Sequence, residues 1–217
     1  MSALAKITVD GKVTRVAAAL REAVLSGVIS PGAQLVVASL AEQLGTSKGS
    51  VREAIRELVA EGLLEHHLHR GTFVREFSAE ECVDLYLSRT VIEVWAAQQI
   101  LKLDDPDFSE MERALGNMSV TKKAANESSV EVIDADMDFH RSLVAMGASR
   151  RMSELHESLL AETTLMVRAR RPFATADHYP VHAELLEALR NRDSAAPDQL
   201  SAHLKDARTR MTQLVTV

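Results

Sequence analysis

Residues 37–62 read Val37-Ala38-Ser39-Leu40-Ala41-Glu42-Gln43-Leu44-Gly45-Thr46-Ser47-Lys48-Gly49-Ser50-Val51-Arg52-Glu53-Ala54-Ile55-Arg56-Glu57-Leu58-Val59-Ala60-Glu61-Gly62. The stretch from Val37 to Leu44 predicts a short helix, and Gly45 suits the left-handed residue that follows a helix C-terminus. Thr46 makes the turn and Ser47 is a good N-cap for a second helix. Val51, Ala54, Ile55 and Leu58 then fall on one side of that helix, which ends near Glu61. At about 100° per residue, Lys48, Arg52 and Arg56 climb the opposite side together. Two short helices joined by a tight turn, the second carrying a basic stripe, are the pattern of a helix-turn-helix whose second helix fits the major groove of B-DNA.

The flanks complete that pattern. Upstream, Val16, Ala17, Leu20, Val24 and Val28 recur at helical spacing and predict a helix from Val13 to Val28, stopped by Ser30-Pro31-Gly32. Downstream, Leu63-Leu64-Glu65-His66-His67-Leu68 and Thr72-Phe73-Val74 bracket His69-Arg70-Gly71, which predicts a two-stranded wing with Gly71 at or near its tip. Arg52 is then the first candidate for base readout, with Lys48 and Arg56 next. Ser47 and Ser50 are phosphate donors at the helix start, and Arg70, beside Gly71, enters the minor groove from the wing. The plainer alternative is a solvated helix face with Glu53 and Glu57 alternating beside the bases. The neighbouring helix, the glycine turn and the wing favour DNA binding.

The runs Gly27-Val28-Ile29-Ser30-Pro31-Gly32-Ala33-Gln34-Leu35, Leu40 to Ile55, Glu61-Gly62-Leu63-Leu64 and Arg70-Gly71-Thr72-Phe73-Val74 closely resemble the DNA-binding domain of GntR-family transcription regulators. The resemblance covers nearly all of residues 13–75. Where that family usually has Ser-Arg-x-Pro-Val-Arg-Glu-Ala, this chain has Ser47-Lys48-Gly49-Ser50-Val51-Arg52-Glu53-Ala54. Lys48 lacks the guanidinium fork, so an altered half-site sequence is expected. Arg52 keeps its place.

Composition sets the frame for the rest. With 46% hydrophobic and 26% charged residues among 217, the chain is neither disordered nor fibrous. Aromatics are only 4%, which favours helices over sheets. There is no apolar run long enough to span a membrane and no signal-peptide pattern, so a cytoplasmic protein is expected. The single Cys82 excludes an internal disulfide. Residues 1–77 carry 9 Lys/Arg against 8 Asp/Glu, whereas residues 78–217 carry 16 against 23. Any polyanion should therefore meet the front part, through a local basic face.

The expected fold is mainly α: a winged helix-turn-helix over residues 1–77, then an all-α antiparallel bundle of about six helices over 78–217. Ser78-Ala79-Glu80-Glu81 is a capping box that starts a helix running to about Leu103. Further helices are expected near 107–118, 125–147, 150–170, 180–192 and 197–214, with breaks at Gly147, Pro172, Pro180 and Pro197. On the first of these helices Cys82, Leu85, Tyr86, Ile92, Ala96 and Ile100 mark the buried stripe, and Arg89 and Glu93 project from its middle. A buried guanidinium is costly unless it is paired or meets an anionic ligand, so the pair is either a structural salt bridge or part of a ligand site.

Asp136 and His140 lie one turn apart at the centre of the stripe formed by Val132, Ile133, Phe139 and Leu143, and can bind one metal ion from one helix face. His182 is flanked by Leu185, Leu186 and Leu189, and His203 shares a face with Leu200, Ala207 and Met211. A lone inward histidine is usually a hydrogen-bonded core residue, but three together with an aspartate point to a metal site. His156 reads as a helix-surface residue, His66 and His67 as wing residues, and His178 as a loop residue held in reserve as a ligand.

The pattern Arg89-x-x-x-Glu93, Asp136-x-x-Phe139-His140, His182 before Leu185-Leu186-Glu187-Ala188-Leu189-Arg190-Asn191-Arg192-Asp193, and His203-Leu204 resembles the FCD ligand-binding domain of the FadR subfamily, over about residues 78–214. The resemblance implies that Asp136, His140, His182 and His203 hold a divalent metal, commonly zinc or nickel. It implies an effector-binding role for Arg89 and Glu93, with Arg89 meeting the carboxylate of a small acid or sugar acid. It also implies a homodimer on two operator half-sites of double-stranded DNA. An acyl-CoA effector is disfavoured, because the member that names the subfamily lacks this metal set. Two alternatives are a metal-dependent hydrolase, for which no nucleophile or spare general base is evident, and a regulator whose metal is purely structural.

Overall fold

The computed structural model describes residues 11–124, 130–169 and 178–215. Two compact units divide the chain, Met1–Arg75 and Glu76–Val217, two residues before the boundary expected from sequence.

In the first unit, α1 (Gly11–Leu25), α2 (Val37–Gln43) and α3 (Lys48–Ala60) precede the antiparallel strands β1 (Leu64–His67) and β2 (Gly71–Val74). Val16, Ala17, Leu20 and Val24 of α1 bury against Val51, Ala54, Ile55 and Leu58 of α3, and among the described residues no charged side chain is buried in this core. The helix α1 ends sooner than its apolar spacing predicts. Gly27 takes a left-handed backbone, its N–H donating to Val24 O at 3.1 Å, so Val28 leaves the stripe and is exposed. The Ser47 hydroxyl accepts from Ser50 N at 3.1 Å and starts α3 at the expected place. In the wing, His67 pairs with Gly71, and the tip is Leu68–Arg70 with His69 in left-handed backbone. A feature absent from the sequence reading is a short third edge: Leu35 N donates to Thr72 O at 2.8 Å and Val74 N to Ala33 O at 2.9 Å, forming a bridge between Gln34 and Phe73.

The second unit is all helix among the described residues: α4 (Ala79–Ile100), α5 (Ser109–Ala124), α6 (Val130–Gly147), α7 (Arg150–Ala169), α8 (His178–Arg190) and α9 (Ala196–Val215). The capping box forms as read, with Ser78 N donating to Glu81 Oε2 at 2.9 Å and Glu81 N to Ser78 Oγ at 3.2 Å. Pro180 and Pro197 do not break helices. Each lies in the first turn of α8 or α9, where a missing N–H costs nothing. His178 accordingly opens α8 rather than sitting in a loop. Helix α4 is the central element, packed by α6, α7 and α9. At Gly147 of α6 the approach is close: an added Cβ would stand 2.1 Å from the carbonyl oxygen of Ala96 on α4. Ile92, Val132 and Ile133, expected in the buried stripes, are only half-buried.

Candidate functional site

Phe139 on α6 and the leucines of α8 and α9 pack this unit's interior, and polar side chains from five helices meet inside it. Asp136 and His140 come from α6, His182 from α8 and His203 from α9. Each offers one ligand atom, and these atoms lie within 4.8 Å of one another. His182 Nε2 stands 3.1 Å from Asp136 Oδ1 and 3.3 Å from His140 Nε2. The His140 and His203 rings are stacked, with centroids 5.4 Å apart, and the His182 ring is edge-on to both. Donor atoms bonded to a common ion at about 2.0–2.2 Å stand roughly 3 Å from each other, so the spacing and the nitrogen and oxygen donor set fit a divalent metal. The sequence-predicted set is thus brought to one point.

Beside it, Glu93 on α4 is fully buried, at 0% exposure. Its Oε1 accepts from Arg89 Nε at 2.8 Å and from His156 Nε2 at 2.9 Å; its Oε2 accepts from His140 Nδ1 at 2.6 Å. Burial pushes the Glu93 carboxyl up, but Arg89 and then His140 more than offset this and hold it well below the usual carboxylate range. Burial pushes His140 down, with Glu93 opposing only in part, which favours the neutral imidazole that a metal requires. A carboxylate has no proton to give, so the proton of neutral His140 sits on Nδ1 and leaves the Nε2 lone pair facing the cluster. Arg89, 1% exposed, stacks over Tyr86 at 5.4 Å, and its Nη2 is buried with no hydrogen-bond partner among the described residues.

His156 corrects the sequence reading. Expected on the surface, it is 1% exposed and bonded to Glu93, while its neighbour Leu155 faces outward. The partner lies 63 residues away on another helix, and nothing local to His156 announces it. Asp138 points away from the cluster and pairs with Arg141.

The candidate DNA-reading residues are disposed differently. Lys48, Arg52 and Arg56 are exposed along one face of α3, with Arg56 paired to Glu53 at 2.5 Å. At the helix start the Ser47 and Ser50 hydroxyls lie 3.0 Å apart. On the wing, Arg70 is exposed beside Phe73, with its guanidinium 5.7 Å from the ring centre. Gly71, at φ +104°, leaves room for Gln34 Nε2, which donates to Arg70 O at 2.7 Å.

Residues 12–74 match the family model described as bacterial regulatory proteins, gntR family, and residues 84–206 match the FCD domain. The chain belongs to the GntR family. It is of the FCD-containing, FadR type, and the proteins of this family are transcription regulators, not enzymes. This GntR regulator is 28% identical over 196 residues to a transcriptional repressor attributed to a D-xylose utilization operon of Paenarthrobacter nicotinovorans, spanning 88% of the chain and 85% of the relative. It is 24% identical over 229 aligned positions to the galactonate operon transcriptional repressor of Escherichia coli strain K12, spanning 94% and 98%. A solved structure from Rhodococcus sp. RHA1, described as a GntR transcriptional regulator, superposes with TM-score 0.82 at 31% identity, spanning 93% of this chain and 97% of that one. No described helix is long and apolar enough to cross a membrane.

Proposed function

We propose that this regulator's affinity for an operator is set by a small carboxylic acid bound at a metal site in the helical unit. The observation that carries the reading is the convergence of Asp136, His140, His182 and His203, with the spare Nη2 of buried Arg89 beside it. Such a donor set suits zinc or nickel. A bound divalent ion would supply positive charge and open coordination positions for an effector carboxylate. Arg89 would take a second oxygen of that acid through Nη2, while its Nε stays on Glu93. One relative is named for a galactonate operon, which supports a hydroxylated sugar acid as the effector class. Only Arg75 to Ser78 separate β2 from α4, so an effector that shifts α4 acts on the chain close to the wing.

On the DNA side, Arg52 is the residue we assign to base readout, Lys48 and Arg56 flank it, Ser47 and Ser50 meet phosphate, and Arg70 with Gly71 forms the wing contact. A homodimer would present two such heads to two half-sites. Leu87, Val91 and Trp95 form an exposed apolar stripe at four-residue spacing on α4, which supports pairing with a second copy there. Val91→Glu should then give a monomer by sedimentation.

The test is metal analysis of wild type beside His140→Ala and His182→Ala, with a thermal-shift screen of citrate, gluconate and galactonate. Near-stoichiometric metal lost in both variants, with an acid that stabilises wild type alone, is the expected result. Metal absent from all three proteins would return the histidines to the role of core residues.

A further inference from the structure

Glu93 holds a position between the two halves of the proposed effector site. One oxygen receives His140, a proposed ligand, and the other receives Arg89, the proposed effector anchor. A carboxylate held only by the two groups it orients would move with them. Its terminal torsion is broad and two-fold, so two contacts that can themselves swing do not fix its plane. The third contact comes from elsewhere. His156 lies on α7, a helix that carries none of the four proposed ligands, and its Nε2 reaches Glu93 Oε1 at 2.9 Å.

We propose that His156 is a positioning residue for the metal and effector site, acting through Glu93. Since a carboxylate accepts only, the bond runs from His156 Nε2 to Glu93 Oε1, which puts a proton on Nε2. With Oε1 pinned from α7, Oε2 is left pointing at His140 Nδ1. That contact sets both the tautomer and the orientation in which the ring presents Nε2 to Asp136, His182 and His203. The same pinned oxygen takes Arg89 through Nε, which leaves Nη2 as the free end of the guanidinium. One histidine from outside the ligand set thereby fixes the direction of a metal ligand and of the effector anchor.

The inference rests on the ligand assignment above, and the experiment separates the two. Apparent Ni2+ affinity is measured by competition with a chromophoric chelator for wild type, His182→Ala, His156→Leu, His156→Asn and His156→Gln. A glutamine amide reaches about as far as imidazole Nε2 and can donate to Glu93; asparagine falls short, and leucine fills space without donating. Citrate serves as the carboxylate probe in thermal shift of the Ni2+-loaded proteins, and the absorption bands of Co2+-loaded samples report ligand geometry. The expected result is a loss of about ten-fold or more in Ni2+ affinity for His156→Leu and His156→Asn, with altered Co2+ bands and a smaller citrate shift. His156→Gln should return all three readouts close to wild type. Should His156→Leu fail to fold, the Asn and Gln pair carries the same comparison. Wild-type affinity in every His156 variant, or equal loss with no rescue by glutamine, would overturn the positioning role while leaving the metal site standing. Failure of wild type itself to take up Ni2+ would overturn both.

Discussion

The two units place their charges on opposite sides of the same kind of helix. On α3 the apolar face is the core, and Lys48, Arg52 and Arg56 stand in solvent. On α4 the core-facing side itself carries Arg89 and Glu93, and the exposed side carries Leu87, Val91 and Trp95. A helix with solvated charges can exchange them at little cost to folding, so its chemistry and its stability are separable. A helix with buried charges cannot, because each buried charge depends on its partner. The head carries its charges outward, and the body keeps some of its charges inside.

The sharpest way to break this comparison is Arg89→Leu against Arg52→Leu. Removing Arg89 takes from buried Glu93 the main counter-charge that offsets its burial, and should cost about 3–5 kcal/mol in urea unfolding. Arg52→Leu, at an exposed site, should stay within about 0.5 kcal/mol of wild type. Comparable midpoints for the two variants would mean that the buried pair is no more constrained than the surface one.

A second contrast uses one substitution in both places. Gly147→Ala puts a Cβ 2.1 Å from a backbone oxygen of α4, so the two helices must separate, at about 1–3 kcal/mol by thermal or urea unfolding. Gly49→Ala at the start of α3 meets only Ser47 Oγ, at 3.6 Å, and should stabilise by less than about 1 kcal/mol through helix propensity. Opposite signs are expected, and a neutral Gly147→Ala would show that α4 and α6 are not in close register.

For the head, the effect belongs in binding. Arg52→Ala should weaken binding to a duplex selected with wild type by about 1–3 kcal/mol, with relaxed preference at one base position and unchanged melting. Lys48→Ala should lose less and lose it evenly across sequences, with a shallower salt dependence. A uniform loss for Arg52→Ala would move that residue from base reading to phosphate contact.

The helix-turn-helix was readable because its signals are local: a cap, a glycine turn and an apolar period within one stretch. The convergence of Asp136, His140, His182 and His203 was readable for a related reason. Asp136 and His140 sit one turn apart, and each remaining histidine lies on a leucine-rich stripe, so three helix faces point inward independently. His156 escaped because its stripe is ambiguous, with Leu155 the natural candidate for the core, and because its partner lies on α4. The edge formed by Ala33 to Leu35 escaped for the same reason, since its ladder partners are in β2. Val28 was misplaced because left-handed Gly27 ends the helix before the period does.

The close approach of Gly147 to Ala96 gives α4 a fulcrum. At 1.5 Å per residue, Arg89 lies about 10 Å from that point and Ala79 about 26 Å from it. Any tilt of α4 about the contact is therefore geared: a displacement of about 1 Å at the guanidinium becomes roughly 2.5 Å at the helix start, and the gearing is fixed by where the glycine stands.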